Sequence, residues 1–155
     1  MAMYITDVIR SDMLKHARIS FPKECCGFIV GNTMADKYPN GNHPNSNKLN
    51  DVNGRFYVAC EPTFTPHCRW RFSVDPQLFQ QVAAEAQELN LKIICVVHSH
   101  PNHSDLPSEF DRQHAIIGLN YLIISVCDGR VHSYNAWQLP DPSSVFVEQD
   151  IIRFE

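Results

Sequence analysis

His98 and His100, separated by one residue, close a largely aliphatic run over residues 91–97. On an extended chain, side chains two positions apart point to the same side, with Cα atoms about 6.5 Å apart. Two imidazoles so placed can converge on one metal ion, and they can equally be a pair of partly exposed histidines at a strand end. Further along, Ser108-Glu109-Phe110-Asp111 opens a helical turn, from which Asp111 could return a carboxylate to the same point. Two imidazoles and a carboxylate make a hydrolytic zinc site with one position open for water. The same Ser-x-x-Asp spacing is also a capping variant, with Ser108 as N-cap and Asp111 favoured by the helix dipole. Taken alone, that segment reads as a cap.

The two segments together change the reading. Residues 98–111 run H-S-H-P-N-H-S-D-L-P-S-E-F-D, which resembles the JAMM (MPN+) metallopeptidase signature H-x-H-P-x6-S-x2-D at each defined position. Glu24, in E-C-C-G-F-I-V-G ahead of an early strand, resembles the upstream glutamate of that family. Without the family it is only a carboxylate before Gly27. The resemblance implies that His98, His100 and Asp111 bind one catalytic Zn2+. It further implies that Glu24 takes a proton from zinc-bound water and passes it to the leaving amine, and that Ser108 stabilises the developing oxyanion. Zinc lowers the pKa of its water to about 7, so one nearby carboxylate suffices as base at neutral pH. A single donor at the oxyanion is typically worth about 10²–10³ in rate. Asp105 and Glu109 are surrogate ligand candidates that miss the motif position. His16, His43, His67, His103, His114 and His132 stand at no ligand spacing and are expected in solvated or hydrogen-bonded structural roles.

The likeness reaches beyond the motif. The opening helix, R-F-S-V-D-P over residues 71–76 and Y-L-I-I-S-V over residues 121–126 resemble compact bacterial members of the family. Those members include cytoplasmic enzymes that cleave after the Gly-Gly terminus of ubiquitin-like sulfur-carrier proteins, so a small carrier protein is the implied partner. A phage-tail-type peptidase, a deubiquitinase-like enzyme and a metal-free MPN scaffold are the alternatives, and self-association as a homodimer is left open. The implied fold is JAB1/MPN-like, also described as cytidine-deaminase-like.

The elements that must position these residues follow from periodicity. Val8, Ile9, Met13 and Ala17 recur at helical spacing over residues 5–19 behind Thr6, an N-cap candidate, with Phe21-Pro22 as a stop. Residues 25–30 predict a short buried strand. Residues 32–54, crowded with Asn, Pro and Gly, predict a long polar loop. Residues 55–60 and 70–74 predict strands. Asp75-Pro76 starts the clearest amphipathic helix, with Leu78, Phe79, Val82, Ala83, Ala86 and Leu89 on one face. Residues 91–97 predict a central strand buried on both faces, ended by Pro101. Ser108 opens a short helix to about residue 117, and residues 121–127 and 131–139 predict a hairpin about Asp128-Gly129. The tail, with Phe146, Val147, Ile151, Ile152 and Phe154, predicts an edge strand or a short helix. The expected fold class is α/β, a mixed sheet flanked by helices, in a single domain over residues 1–155.

Composition bounds the function. A formal charge of −4 and a pI near 6.0 give no basic footprint for nucleic acid. No run approaches the roughly 20 apolar residues of a membrane span, and residues 1–12 lack the apolar stretch of a signal peptide, so the cytoplasm is the expected compartment. Six cysteines are present, with Cys25 and Cys26 adjacent and Cys95 and Cys127 inside strand-like runs. They are expected as small buried hydrophobes rather than disulfides or ligands, and Cys60 and Cys68 are too far apart for a zinc knuckle.

Overall fold

Strands, not helices, dominate the computed structural model, which describes residues 2–37, 40, 50–60 and 75–154. In chain order these are β1 (Ala2–Thr6), α1 (Asp7–Ser20), β2 (Cys26–Thr33), α2 (Met34–Lys37), β3 (Val52–Cys60) and α3 (Pro76–Glu88). They are followed by β4 (Lys92–Pro101), α4 (Glu109–Gln113), β5 (Asn120–Cys127), β6 (Arg130–Gln138) and β7 (Val147–Phe154). The expected strand over residues 70–74 lies outside the described residues.

The sheet runs β1-β3-β2-β4-β5-β6-β7, and β1 also pairs with β7, so it closes on itself. Parallel pairs (β1–β3, β1–β7, β4–β5) mix with antiparallel ones. The α/β class with a mixed sheet and flanking helices is as expected. Closure corrects one expectation: β7 is not an edge, because residues 147–149 pair with β6 and residues 150–154 with β1.

Two layers of core follow from strand alternation. One face gathers Ile5, Ile29, Cys95, Val97, Leu122 and Ile124 with Ile9, Met13 and Ala17 of α1. The other gathers Phe28, Val30, Val96 and Tyr121 with Val82 and Ala86 of α3. Each helix is fixed at its start by the residue the sequence marks. Thr6 Oγ1 accepts from Ile9 N at 3.2 Å, and Asp75 Oδ1 accepts from Gln77 N at 2.9 Å. The first helix therefore begins after Thr6, and Ile5 belongs to β1, an element its five residues did not betray by periodicity.

Three further boundaries differ from expectation. The polar loop is shorter than residues 32–54 at both ends, because Gly31, Asn32 and Thr33 pair with Gly54, Asn53 and Val52, and α2 follows at once. Glycine permits that approach, since a Cβ at Gly31 would lie 1.8 Å from the Asn53 carbonyl oxygen. Pro101 does not end pairing, because it still faces Val126 in the parallel ladder. The helix after Ser108 stops at Gln113 rather than near 117, because Ile116 N donates to Tyr121 Oη at 2.7 Å and is not offered to the preceding turn. The Asp128-Gly129 hairpin is as read, both residues taking positive φ of 51° and 78° as a primed turn requires.

Candidate metal centre

β4 lies between β2 and β5, and its aliphatic run is buried because alternate side chains enter the two core layers. His98 and His100 leave one face of that end. Ser108 caps α4 and turns Asp111 back toward them. Among the described residues, His98, His100 and Asp111 form one group whose ligand atoms all lie within 4.8 Å of one another. His98 Nε2 is 3.3 Å from Asp111 Oδ1, His100 Nε2 is 3.2 Å from Asp111 Oδ2, and the two Nε2 atoms are 3.2 Å apart. Two borderline-soft nitrogens and a carboxylate oxygen, nearly shielded from solvent, suit a zinc-type ion with further coordination positions open.

The capping and ligand readings of Asp111 are both realised. Asp111 N donates to Ser108 Oγ at 3.0 Å while Ser108 N donates to Asp111 Oδ2 at 2.8 Å, a complete capping box. The cap therefore aims the ligand. His100 Nδ1 lies 2.8 Å from the Ser104 carbonyl oxygen, which only accepts, so Nδ1 carries a proton and donates it. The neutral ring then presents its Nε2 lone pair to the cluster, the arrangement typical of a metal-binding histidine.

Electrostatics follow the geometry. Burial pushes His98 below the usual histidine range, against the pull of Asp111. At His100 burial acts the same way but is outweighed by Asp111, the Ser104 carbonyl and Glu24, and the pKa rises. Burial would raise Asp111, but its close pairing with His100 and His98 and the Ser108 N–H hold its carboxyl well below the usual carboxylate range.

Glu24 sits just before β2. Cys26 is the cross-strand partner of His98, and Cys25 N donates to Ser99 Oγ at 2.8 Å while Ser99 N donates to Cys25 O at 3.2 Å. Extending that register sets Glu24 beside His100 on the ligand face, and its charge helps raise the His100 pKa. Thus the structure brings His98, His100, Asp111 and Ser108 together at one end of β4, and the register continued past Cys26 leads Glu24 toward the same end.

The other candidates are elsewhere. Glu109 is exposed and pairs with Arg112 at 3.4 Å, and Asp105 is buried against β6, so neither joins the ligand group. His16 Nδ1 lies 2.7 Å from Tyr57 Oη, and His114 stacks on Phe110 with centroids 4.1 Å apart, both structural contacts as expected. His103 and His132 are exposed, and His43, His67 and Cys68 lie outside the described residues. Cys25, Cys26, Cys60 and Cys95 are buried free thiols, as expected for small hydrophobes. Burial pushes the Cys25 thiol up to about 11 and Cys26 higher still, so neither is a thiolate nucleophile at neutral pH. Sequence reasoning missed Ser99 and Ser104, which work through an Oγ and a main-chain carbonyl. Their only signal was a place inside the motif.

No helix among the described residues is long and apolar enough to cross a membrane. Three solved structures resemble this fold. A protein from Salinibacter ruber shares 27% identity at a TM-score of 0.67, over 99% of this chain and 92% of that one. A protein from Desulfitobacterium hafniense shares 22% at a TM-score of 0.76, over 100% and 94%. A JAB1/MPN domain protein from Archaeoglobus fulgidus shares 16% at a TM-score of 0.51, over 98% and 99%. No curated protein matches the chain. The family model for prokaryotic homologs of the JAB domain matches residues 6–140, a span that holds every ligand candidate, and the chain belongs to that family.

Proposed function

We propose that the chain is a zinc-dependent metallopeptidase that hydrolyses the amide bond after the Gly-Gly terminus of a ubiquitin-like sulfur-carrier protein in the cytoplasm. The observation that carries the hydrolytic part is the convergence of His98, His100 and Asp111, close enough to Glu24 for its charge to act on His100. Zinc bound by those three residues supplies a Lewis acid that polarises the scissile carbonyl and lowers the pKa of water to about 7. Glu24 is the carboxylate that accepts the proton of the attacking water and returns it to the amine nitrogen as the C–N bond breaks. His100 is held in one tautomer by the Ser104 carbonyl, which turns its Nε2 lone pair toward the ligand cluster. Ser108 Oγ accepts from Asp111 N and keeps its own hydroxyl proton to donate to the oxyanion. The carrier substrate rests on the likeness of the whole chain to compact bacterial relatives.

Intact-mass analysis tests both parts. A ubiquitin-like carrier extended beyond Gly-Gly is incubated with zinc-loaded protein and with its Glu24→Gln variant. Loss of the extension with the unmodified protein alone supports the proposal. An intact carrier in the presence of stoichiometric zinc rejects the carrier, and cleavage of linked ubiquitin or a phage-type peptide instead would reassign the substrate. Failure to bind zinc would leave a scaffold.

A further inference from the structure

Residues 102–107, between the two histidines and α4, must hold two things in place: the Ser104 carbonyl behind His100 and the cap that aims Asp111. The register shows what they are laid on. His100 faces Ser125, and Ser125 faces Ser133, so three polar side chains form one row across β4, β5 and β6. The chain crosses this row and is bonded at each step. Ser104 O accepts from His100 Nδ1 at 2.8 Å, His103 O accepts from Ser125 Oγ at 2.5 Å, and Asp105 Oδ2 accepts from Ser133 Oγ at 2.6 Å.

Asp105 then takes two more bonds from the same face of β6. Asn135 Nδ2 donates to its Oδ2 at 3.1 Å, and Trp137 Nε1 donates to its main-chain carbonyl at 2.9 Å. Residues 133, 135 and 137 alternate along one strand and all engage one residue. Asp105 is 8% exposed, so its carboxylate is removed from water and depends on those donors. Asn102, at φ 57°, starts the segment, with its N–H on Val126 O at 2.6 Å and its Oδ1 accepting from Asp128 N at 3.0 Å.

We infer that Asp105 is the positioning residue of the metal centre, clamping the segment to β6 so that the Ser104 carbonyl fixes the His100 ring. The inference rests on the metallopeptidase reading for its consequence, though the clamp and the ring contact exist without it. Asp105 lies outside the ligand group and acts through Ser104 and His100. Removing an outer partner of a ligating histidine costs about 10–100-fold in metal affinity, and the clamp is expected to carry a loss in that range.

Three variants are compared: Asp105→Ala, Asp105→Asn, and Asp51→Ala as a control. Asp51 is a similarly buried carboxylate, accepting Ala2 N at 2.8 Å on β1, away from the ligands. Zinc affinity is read by chelator competition, and the His100 Nδ1–H is read in metal-free protein by its imidazole proton resonance and hydrogen exchange. Asp105→Ala is expected to weaken zinc by about 10–100-fold and to lose the protected Nδ1–H. Asp105→Asn, which keeps an acceptor, is expected to restore most of both, and Asp51→Ala to lower stability while leaving both unchanged. Unaltered zinc affinity and an intact Nδ1–H in folded Asp105→Ala overturn the inference, as does an equal loss in Asp51→Ala. If the unmodified protein binds no zinc but Asp105→Ala still loses the Nδ1–H, the clamp stands and the metallopeptidase reading fails.

Discussion

Asp111 serves the cap and the ligand group at once, and the two roles separate by substitution. Asparagine at 111 retains a side-chain oxygen that can accept from Ser108 N, so α4 keeps its start, but the charge facing His98 and His100 is gone. Alanine at 108 does the reverse: it removes the hydroxyl that accepts from Asp111 N at 3.0 Å and leaves the carboxylate. Loss of such a cap costs about 1 kcal/mol. Even if all of it were transmitted to zinc binding, affinity would fall by about 5-fold, since one kcal/mol is about that factor. Loss of the ligand itself should exceed the roughly 10–100-fold cost of losing an outer partner. Zinc affinity by competition with a chromophoric chelator should therefore fall by more than about 100-fold in Asp111→Asn and by no more than about 5-fold in Ser108→Ala. Urea unfolding of the metal-free proteins should show the opposite order, with Ser108→Ala less stable by about 1 kcal/mol. Comparable losses of affinity in both variants would mean that Asp111 acts through the helix start alone, and the ligand assignment would be refuted.

Other outcomes follow from the same geometry. Gly27→Ala places a Cβ 2.1 Å from Tyr57 Oη, inside a ring tied to His16, and should cost about 1–3 kcal/mol in urea unfolding, recovered in part by Tyr57→Leu. Gly31→Ala should cost more, because its Cβ meets the Asn53 backbone rather than a side chain. Zinc affinity should fall as pH drops below neutrality: His100, whose pKa is raised, takes up a proton first, whereas His98 and Asp111, both lowered, stay deprotonated to lower pH. A pH-independent affinity between pH 5 and 8 would contradict that order. Cys25→Ser with Cys26→Ser should leave turnover per folded molecule intact, since neither thiol ionises near neutrality, and a lost turnover in folded, zinc-loaded protein would reinstate thiol chemistry.

Much of this was legible because it lies on local pattern. The aliphatic run before His98 marks β4, Asp75-Pro76 marks α3, and Asp128-Gly129 marks the β5–β6 turn, each by a physical device that acts within a few residues. The ligand candidates were legible because strand alternation and the motif fix them. What escaped the sequence is non-local. β1 is short, and its pairing with β3 and β7 depends on residues far along the chain, as does the closure that makes β7 an interior strand. The end of α4 is set by the Tyr121 hydroxyl, five residues beyond the amide it captures. Asp105, weighed in the sequence as a surrogate ligand, proved to face β6, because its partners are contributed by a strand that the sequence could place but not register.

The central claim is that one ion held by His98, His100 and Asp111 serves a base at Glu24. It is tested most directly by titrating zinc into metal-free protein and into Glu24→Gln, following bound metal and hydrolysis of an extended carrier in the same samples. One zinc per chain in both, with hydrolysis rising in step only in the unmodified protein, is the predicted result. Equal turnover in Glu24→Gln, or hydrolysis that does not track bound zinc, would contradict it.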